Sequence, residues 1–114
     1  MSDDFKFAAI DDVIAAIGRG EMIVMVDDED RENEGDLIMA AHFATPEKIA
    51  FIVRHSSGVV VAPLSGERCD ELRLPLMVEH NTESHRTAFT VSVDMIEGTT
   101  TGISASDRSA TLCA

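Results

Sequence analysis

Met22-Ile23-Val24-Met25-Val26-Asp27-Asp28-Glu29-Asp30-Arg31-Glu32-Asn33-Glu34-Gly35-Asp36-Leu37-Ile38-Met39-Ala40-Ala41 is the stretch on which the reading of this chain turns. Two apolar runs bracket residues 27–36, which hold seven carboxylates and one arginine. The flanks read as two buried strands, which pin the acidic loop between them. Carboxylates crowded this closely repel one another, and the repulsion predicts that some stay protonated. A hard metal ion, or chemistry that sets an acid beside a base, gives such crowding a use.

The chain has 114 residues, a hydrophobic fraction of 45% and a formal net charge of -12. That hydrophobic content supports a globular core and excludes wholesale disorder. The acidic loop carries half of the net charge, so the acidity is local and not a general solvating coat. A sequence pI near 4.5 argues against binding a nucleic-acid backbone or an anionic membrane surface. Two cysteines, Cys69 and Cys113, fit free thiols better than a disulfide scaffold. Met1-Ser2-Asp3-Asp4 offers no apolar signal region, and no apolar run approaches the ~20 residues of a membrane helix. A soluble, cytoplasmic protein is expected. Tyr and Trp are absent, which removes the usual platforms for stacking bases or sugars.

Outward from the acidic loop, helices alternate with apolar runs. Asp11 is expected to cap a first helix whose face carries Ile10, Val13, Ile14 and Ile17, with Gly18 and Gly20 at its end. Thr45-Pro46-Glu47 has the cap, first-turn proline and first-turn acid of a second helix, stopped at Gly58. Val59–Val61 reads as a buried strand, and Ser65 as the cap of a short helix through Leu72. Residues 88–95 alternate apolar and polar like a half-buried strand. After the polar loop Gly98-Thr99-Thr100-Thr101-Gly102, Ser104-Ala105-Ser106-Asp107 resembles a capping box that opens a last helix. The expected fold is α+β, a layered α/β/α-type sandwich with a mixed sheet, incomplete in this chain. Residues 1–114 are taken as the N-terminal part of a single domain, with no repeat or linker.

A charge run is most often just a solvated turn, but tight apolar flanks and residues of differing role set this one apart. A calcium loop aligned from Asp30 fails, because its twelfth position is Ala41 and its flanks are strands. Magnesium bound by one or two carboxylates, with substrate oxygens as further ligands, uses every residue type present. Arg31 then offers a planar fork to a phosphate or a neighbouring carboxylate. Elsewhere the simpler readings prevail. His80 and His85 read as surface-loop residues because no partner stands at ligand spacing. His55 sits near a helix end, where it meets the dipole. Cys69 reads as a small buried apolar group. Thr99–Thr101 could be a phosphate-type loop before a helix N-terminus, but it lacks the Gly-Lys-Ser/Thr ending of a nucleotide-binding loop, and on the residues alone it reads as a plain loop.

The acidic run Asp27–Leu37 resembles the signature loop of the 3,4-dihydroxy-2-butanone 4-phosphate synthase family. The likeness continues in order through Arg54-His55-Ser56-Ser57-Gly58, Leu74-Pro75-Leu76-Met77-Val78-Glu79, Asn81-Thr82, Phe89-Thr90-Val91 and Gly98–Arg108. It covers nearly the whole chain. The resemblance implies conversion of ribulose 5-phosphate to 3,4-dihydroxy-2-butanone 4-phosphate and formate for riboflavin synthesis. It also implies magnesium or manganese as cofactor and a homodimer with sites at the subunit interface. By the same resemblance, Glu32 is the metal ligand, and Arg31, Glu32 and Asp36 contact the substrate. Glu34, Asp36, Thr101 and Asp107 take the catalytic positions. Two departures stand out. The family domain is nearly twice this length, its second half supplying a metal-binding histidine in a His-Thr-Glu segment and a further glutamate. A cysteine common near the family's site is Val61 here. The rival reading is a non-catalytic module whose acidic loop binds metal or a basic protein.

Overall fold

The computed structural model describes residues 6–114, so the Met1–Asp4 stretch lies outside it. The element order is α1 (Ile10–Gly18), β1 (Ile23–Val26), β2 (Gly35–Ile38), a 3-10 turn (Ala41–Phe43), α2 (Pro46–His55), α3 (Gly66–Glu71) and α4 (Ala105–Cys113). Mixed helices and a small antiparallel sheet make this an α+β chain, as expected. No described helix is long and apolar enough to cross a membrane.

Helix α1 begins two residues earlier than the Asp11 cap implies. Its N-cap is Ala9, which makes no side-chain bond, and Asp11 and Asp12 lie inside the first turn. There their charge faces the positive end of the helix dipole, so Asp11 acts through electrostatics and not as a cap. The other caps fall where the sequence placed them. Thr45 accepts from the Lys48 amide and Pro46 opens α2. Ser65 accepts from the Arg68 amide at α3, and Ser104 from the Asp107 amide at α4. Each satisfies an amide that the helix geometry leaves without a partner.

β1 and β2 form an antiparallel hairpin in which Ile23 faces Ile38, Val24 faces Leu37, Met25 faces Asp36 and Val26 faces Gly35. It is the sole sheet among the described residues, so the expected mixed sheet is not formed here. Val59–Val61 and residues 88–95, expected as strands, make no ladder beyond an isolated bridge of Leu76 with Thr90. A strand exists only when a neighbour takes up its amides and carbonyls; among the described residues 59–61 have none, and 88–95 have only the 75–77 segment, through Met77 N–H to the Phe89 carbonyl and Val91 N–H to the Pro75 carbonyl. The hairpin strands are also less covered than expected: Val24, Met25 and Val26 are each at least half exposed.

What packing there is centres on α2, α4 and the 3-10 turn. Ala44 and Ile49 are the buried apolar residues of the described chain. Ser109 on α4 donates to the Ala44 carbonyl at 2.6 Å, and the Cys113 thiol approaches the Ala41 and Ala44 carbonyls. Thus α4 answers the carbonyls that precede α2. Gly20 links this cluster to α1. It is buried with φ +82°, the Phe43 side chain packs against its α-carbon, and its carbonyl accepts from Lys48 Nζ.

Gly20→Ala therefore meets two penalties. The left-handed conformation costs an L-residue about 1–2 kcal/mol, and the added methyl would stand 2.7 Å from Phe43 Cγ. Gly58 shares the conformation, at φ +86°, but has open space around it. Denaturant unfolding of the two alanine variants should show Gly20→Ala losing clearly more than Gly58→Ala. Equal losses would mean that the Phe43 contact yields freely.

Candidate functional site

The acidic loop spans residues 27–34 at the tip of the β1–β2 hairpin. Asp27 organises it. Its Oδ1 accepts from the Glu34 amide at 2.9 Å. Its Oδ2 accepts from the Glu32 amide and from Arg31 Nη1, each at 3.0 Å. The Asp27 amide in turn donates to the Glu34 carbonyl at 3.3 Å, one rung beyond the ladder. Asn33 turns the chain back with φ +51°, a conformation asparagine tolerates better than most residues.

This arrangement reverses the expectation of protonated acids at Asp27. The Glu34 amide, then those of Glu32 and the Arg31 guanidinium, outweigh desolvation and hold its carboxyl below the usual range. Arg31 is raised in return, first by its bond to Asp27 and then by the charge of Glu32. The other acids of the loop are exposed. Glu32, Glu34 and Asp36 accept no hydrogen bond from the described residues. The Glu32 carboxylate has a guanidinium nitrogen 3.7 Å from Oε2 and the His85 Nδ1 3.9 Å from Oε1, both outside bonding distance.

Arg31 thus engages a neighbouring carboxylate, through one nitrogen, and the rest of its fork is uncommitted. Asp36 is a residue of β2 opposite Met25, not of the loop itself, and its charge is felt at Arg31. The hairpin therefore gathers Arg31, Glu32, Glu34 and Asp36 at one end. No hydrogen bond or ion pair joins Thr101 or Asp107 to this group among the described residues.

Those two residues form a second cluster before α4. Asp107 is buried, and its Oδ2 accepts from the Thr100 amide, the Thr100 hydroxyl and the Gly102 amide at 2.9–3.0 Å. The Thr100 amide is the largest of the effects that hold its carboxyl below the ordinary value. The threonine loop therefore directs two amides inward onto a carboxylate of its own chain. They are not open to a phosphate, which corrects the phosphate-loop suggestion. The capping box is likewise half formed: Ser104 caps Asp107, but Asp107 turns to Thr100 and Gly102. The Thr101 hydroxyl is exposed and takes no partner among the described residues. Gly102, at φ +80°, lies against the Asp94 carboxylate.

The remaining candidates are peripheral. Val61 is 54% exposed. His55 lies in the last turn of α2 and tilts against Phe51, with ring centroids 4.5 Å apart. Cys69 is half-buried, not fully buried, and both cysteines are free. The sequence reading passed over Asp27, although an aspartate at the first loop position after a strand is the residue type that takes up nearby amides. Nor does composition single out Glu83, whose carboxylate accepts from the His85 and Thr87 amides.

Hard carboxylate oxygens without hydrogen-bond donors are the donor chemistry that magnesium takes. The described residues contain no group of three or more His, Cys, Asp or Glu placed to hold a metal ion. Glu32 fits as one ligand of a shell completed by substrate, water or other residues.

The acidic hairpin and the threonine loop are two ordered polar clusters of this α+β chain. Comparison defines them further: residues 11–114 match the model of 3,4-dihydroxy-2-butanone 4-phosphate synthase, and the chain belongs to that family. It is similar to the synthase of Agrobacterium fabrum, 61% identical over 92% of this chain and 49% of the relative. The synthase of Candida albicans is 54% identical over 92% of this chain and 52% of the relative. A solved structure of a 3,4-dihydroxy-2-butanone 4-phosphate synthase in complex with two magnesium ions superposes with a TM-score of 0.91. It is 55% identical, covering 94% of this chain and 50% of that one. The chain spans about half the length of these relatives.

The direction of the Asp107 shift fixes a pH dependence. A depressed carboxyl stabilises the fold above its unfolded value, about 3.9, and this contribution fades as pH falls through the lower folded value. Asp107→Asn should be less stable than the parent at neutral pH, with the gap narrowing below about pH 4. Urea unfolding at pH 7 and pH 3 measures it, and a gap independent of pH would show that ionised Asp107 does not hold the threonine loop.

Proposed function

We propose that this chain contributes the acidic hairpin and threonine loop of a cytoplasmic, magnesium-dependent lyase of riboflavin biosynthesis. The enzyme converts D-ribulose 5-phosphate to 3,4-dihydroxy-2-butanone 4-phosphate and formate. The observation that carries the reading is the division of labour at residues 27–36. Asp27 is wholly engaged in holding the loop, while Glu32, Glu34 and Asp36 keep their oxygens free. A solvated turn has no need of such an anchor, and an acidic patch for a basic partner has no need of Arg31 at its centre. Family membership supports the same reading, as does the magnesium complex of a close structural neighbour.

In this proposal Glu32 is a metal ligand and also contacts substrate. Bound magnesium or manganese supplies Lewis-acid polarisation of the sugar's carbonyl and hydroxyl oxygens. Arg31, fixed by Asp27, directs its unused N–H groups at the anionic oxygens of the substrate. Glu34 and Asp36, both without hydrogen-bond donors, take and return protons during enolisation and the later skeletal shift. The Thr101 hydroxyl is free to bond a substrate oxygen, and Asp107 serves by fixing the loop that presents it. In the complete domain β1 and β2 join a larger mixed sheet within an α/β/α-type sandwich. Two copies assemble as a homodimer with active sites at the interface.

Three measurements follow from these assignments. The 114-residue chain by itself should release no formate from ribulose 5-phosphate with magnesium present, since it supplies too few ligands for a complete site. Robust turnover would show that these residues suffice. In the intact protein, Glu32→Gln should abolish metal-dependent turnover without unfolding the chain; near-normal turnover at limiting magnesium would remove Glu32 from the ligand set. Arg31→Lys and Asp36→Asn should divide in steady-state kinetics. Losing a charge-assisted bond from the guanidinium fork should raise KM by roughly ten- to a hundredfold. Losing a proton-transfer group should lower kcat by about 10²–10⁴-fold. A silent Arg31→Lys, or an Asp36→Asn that changed KM alone, would contradict the roles assigned.

A further inference from the structure

Met95 ties the segment before the threonine loop to helix α4. Its amide donates at 3.0 Å to the hydroxyl of Thr111, 16 residues further along. Its carbonyl accepts from the Thr99 hydroxyl. The Thr111 hydroxyl donates to the Asp107 carbonyl at 3.1 Å. The Asp107 carboxylate takes the Thr100 amide and hydroxyl at 2.9 Å and the Gly102 amide at 3.0 Å. These bonds close a circuit that runs from Thr111 to Met95, Thr99, Thr100 and Asp107 and back to Thr111. Thr101 is the position between two residues whose amides are bonded to Asp107, and it is itself exposed. Asp94, next in the chain to Met95, places its carboxylate where a side chain at Gly102 would stand.

A helical threonine often bonds the carbonyl four residues back, and that bond alone implies no function. What sets Thr111 apart is the second bond, to Met95. A hydroxyl has one hydrogen and two lone pairs. Thr111 gives its hydrogen to the Asp107 carbonyl, which leaves a lone pair for the Met95 amide, so the two bonds do not compete. Asp107 secures the loop at residues 100 and 102. The start of the loop is secured by Thr111 through Met95, with Thr99 turned back onto the same residue. Without the Thr111 hydroxyl, the Met95 amide loses this acceptor and the side-chain tie from α4 to the loop is Asp107 alone. A loop held at one end shifts more easily, and a misplacement of about 1 Å can cost roughly 10²-fold in rate.

We propose that Thr111 is a positioning residue that fixes residues 95–102 against α4 through Met95 and so sets where the Thr101 hydroxyl stands. The proposal rests on the reading of Thr101 as a group that bonds a substrate oxygen. Thr111 acts through the loop and has no requirement to touch substrate or metal.

The test is steady-state formate release from ribulose 5-phosphate by the intact protein with magnesium, for Thr111→Val, Thr111→Ser, Thr101→Val and the double variant Thr111→Val/Thr101→Val. Amide hydrogen exchange of the same proteins reports on the loop directly. Valine keeps the shape of threonine and loses both bonds, whereas serine can make both. Thr111→Val should lower kcat/KM roughly 10–100-fold and strip protection from the Met95 amide. Thr111→Ser should recover most of both losses. The double variant should be no worse than Thr101→Val, because displacing the loop cannot remove a hydroxyl that is already gone. If Thr101→Val lowers activity while Thr111→Val stays within about twofold of the parent, the positioning role is overturned and the reading of Thr101 stands. Losses that simply add in the double variant overturn it equally, as does a Thr111→Ser no better than Thr111→Val. If Thr101→Val is itself silent, the reading of Thr101 falls, and the role of Thr111 with it. Thr99→Val opens the same circuit at the Met95 carbonyl and leaves α4 intact. It should show a loss of the same kind, and it decides the matter if Thr111→Val does not fold: turnover within about twofold of the parent would overturn the proposal.

Discussion

A carboxylate that folds back onto the amides of its own loop is the interaction on which this structure depends. It occurs three times among the described residues. Asp27 gathers the Glu32 and Glu34 amides with Arg31, Glu83 the His85 and Thr87 amides, and Asp107 the Thr100 and Gly102 amides. In each case a short loop without regular secondary structure acquires an internal template. An ionised carboxylate is the strongest acceptor a side chain offers, and bonds to it are roughly twice as strong as neutral ones. All three groups are held below their ordinary carboxyl range for that reason. A chain with few buried side chains can still hold three loops in definite shapes.

This constraint accounts for an acidic loop that crowding alone would make unfavourable. Seven carboxylates in ten residues do not all play one part. Asp27 is satisfied by amides and Arg31, and that fixes the path of the chain. The acids that follow are carried along a defined curve, exposed and without donors, which keeps them available to something other than protein. The threonine loop shows the complementary case. There the carboxylate is buried and the hydroxyl of Thr101 is left outside. In both loops one acid supplies structure and leaves a neighbouring polar group exposed.

Signals settled within a few residues are legible in the sequence, and those that depend on a distant partner are not. Thr45, Ser65 and Ser104 cap their helices because a cap is settled within four residues. The β1–β2 hairpin was legible for the same reason, its two strands being joined by one short loop. Residues 59–61 and 88–95 have the composition of strands, but strand formation needs a neighbouring ladder; among the described residues 59–61 have none, and 88–95 have only the short pairing with 75–77 around the Leu76–Thr90 bridge. Asp11 misled because an acid suits both the cap and the first turn, and only backbone geometry separates the two. At the site, Arg31, Glu32, Glu34 and Asp36 declared themselves by density of charge. Asp27 and Glu83 did not, because what they do depends on which amides they reach across a loop.

The hairpin register connects the fold to the chemistry more tightly than either does alone. Pairing Met25 with Asp36 places the Asp36 side chain on the face shared with Ile23 and Ile38, opposite to Val24 and Leu37. Side chains alternate along a strand, so a slip of one residue would carry Asp36 to the other face and away from Arg31. The apolar pairs resist such a slip only weakly, since Val24, Met25 and Val26 are at least half exposed in this chain. The lock sits at the loop end, where the Asp27 amide bonds the Glu34 carbonyl and the Asp27 carboxylate bonds the Glu34 amide. Those two bonds close only in the observed register. Asp27 therefore does more than shape the loop: it also selects the register that sets Asp36 within electrostatic reach of Arg31, and so the site's geometry is specified by the same residue that closes the hairpin.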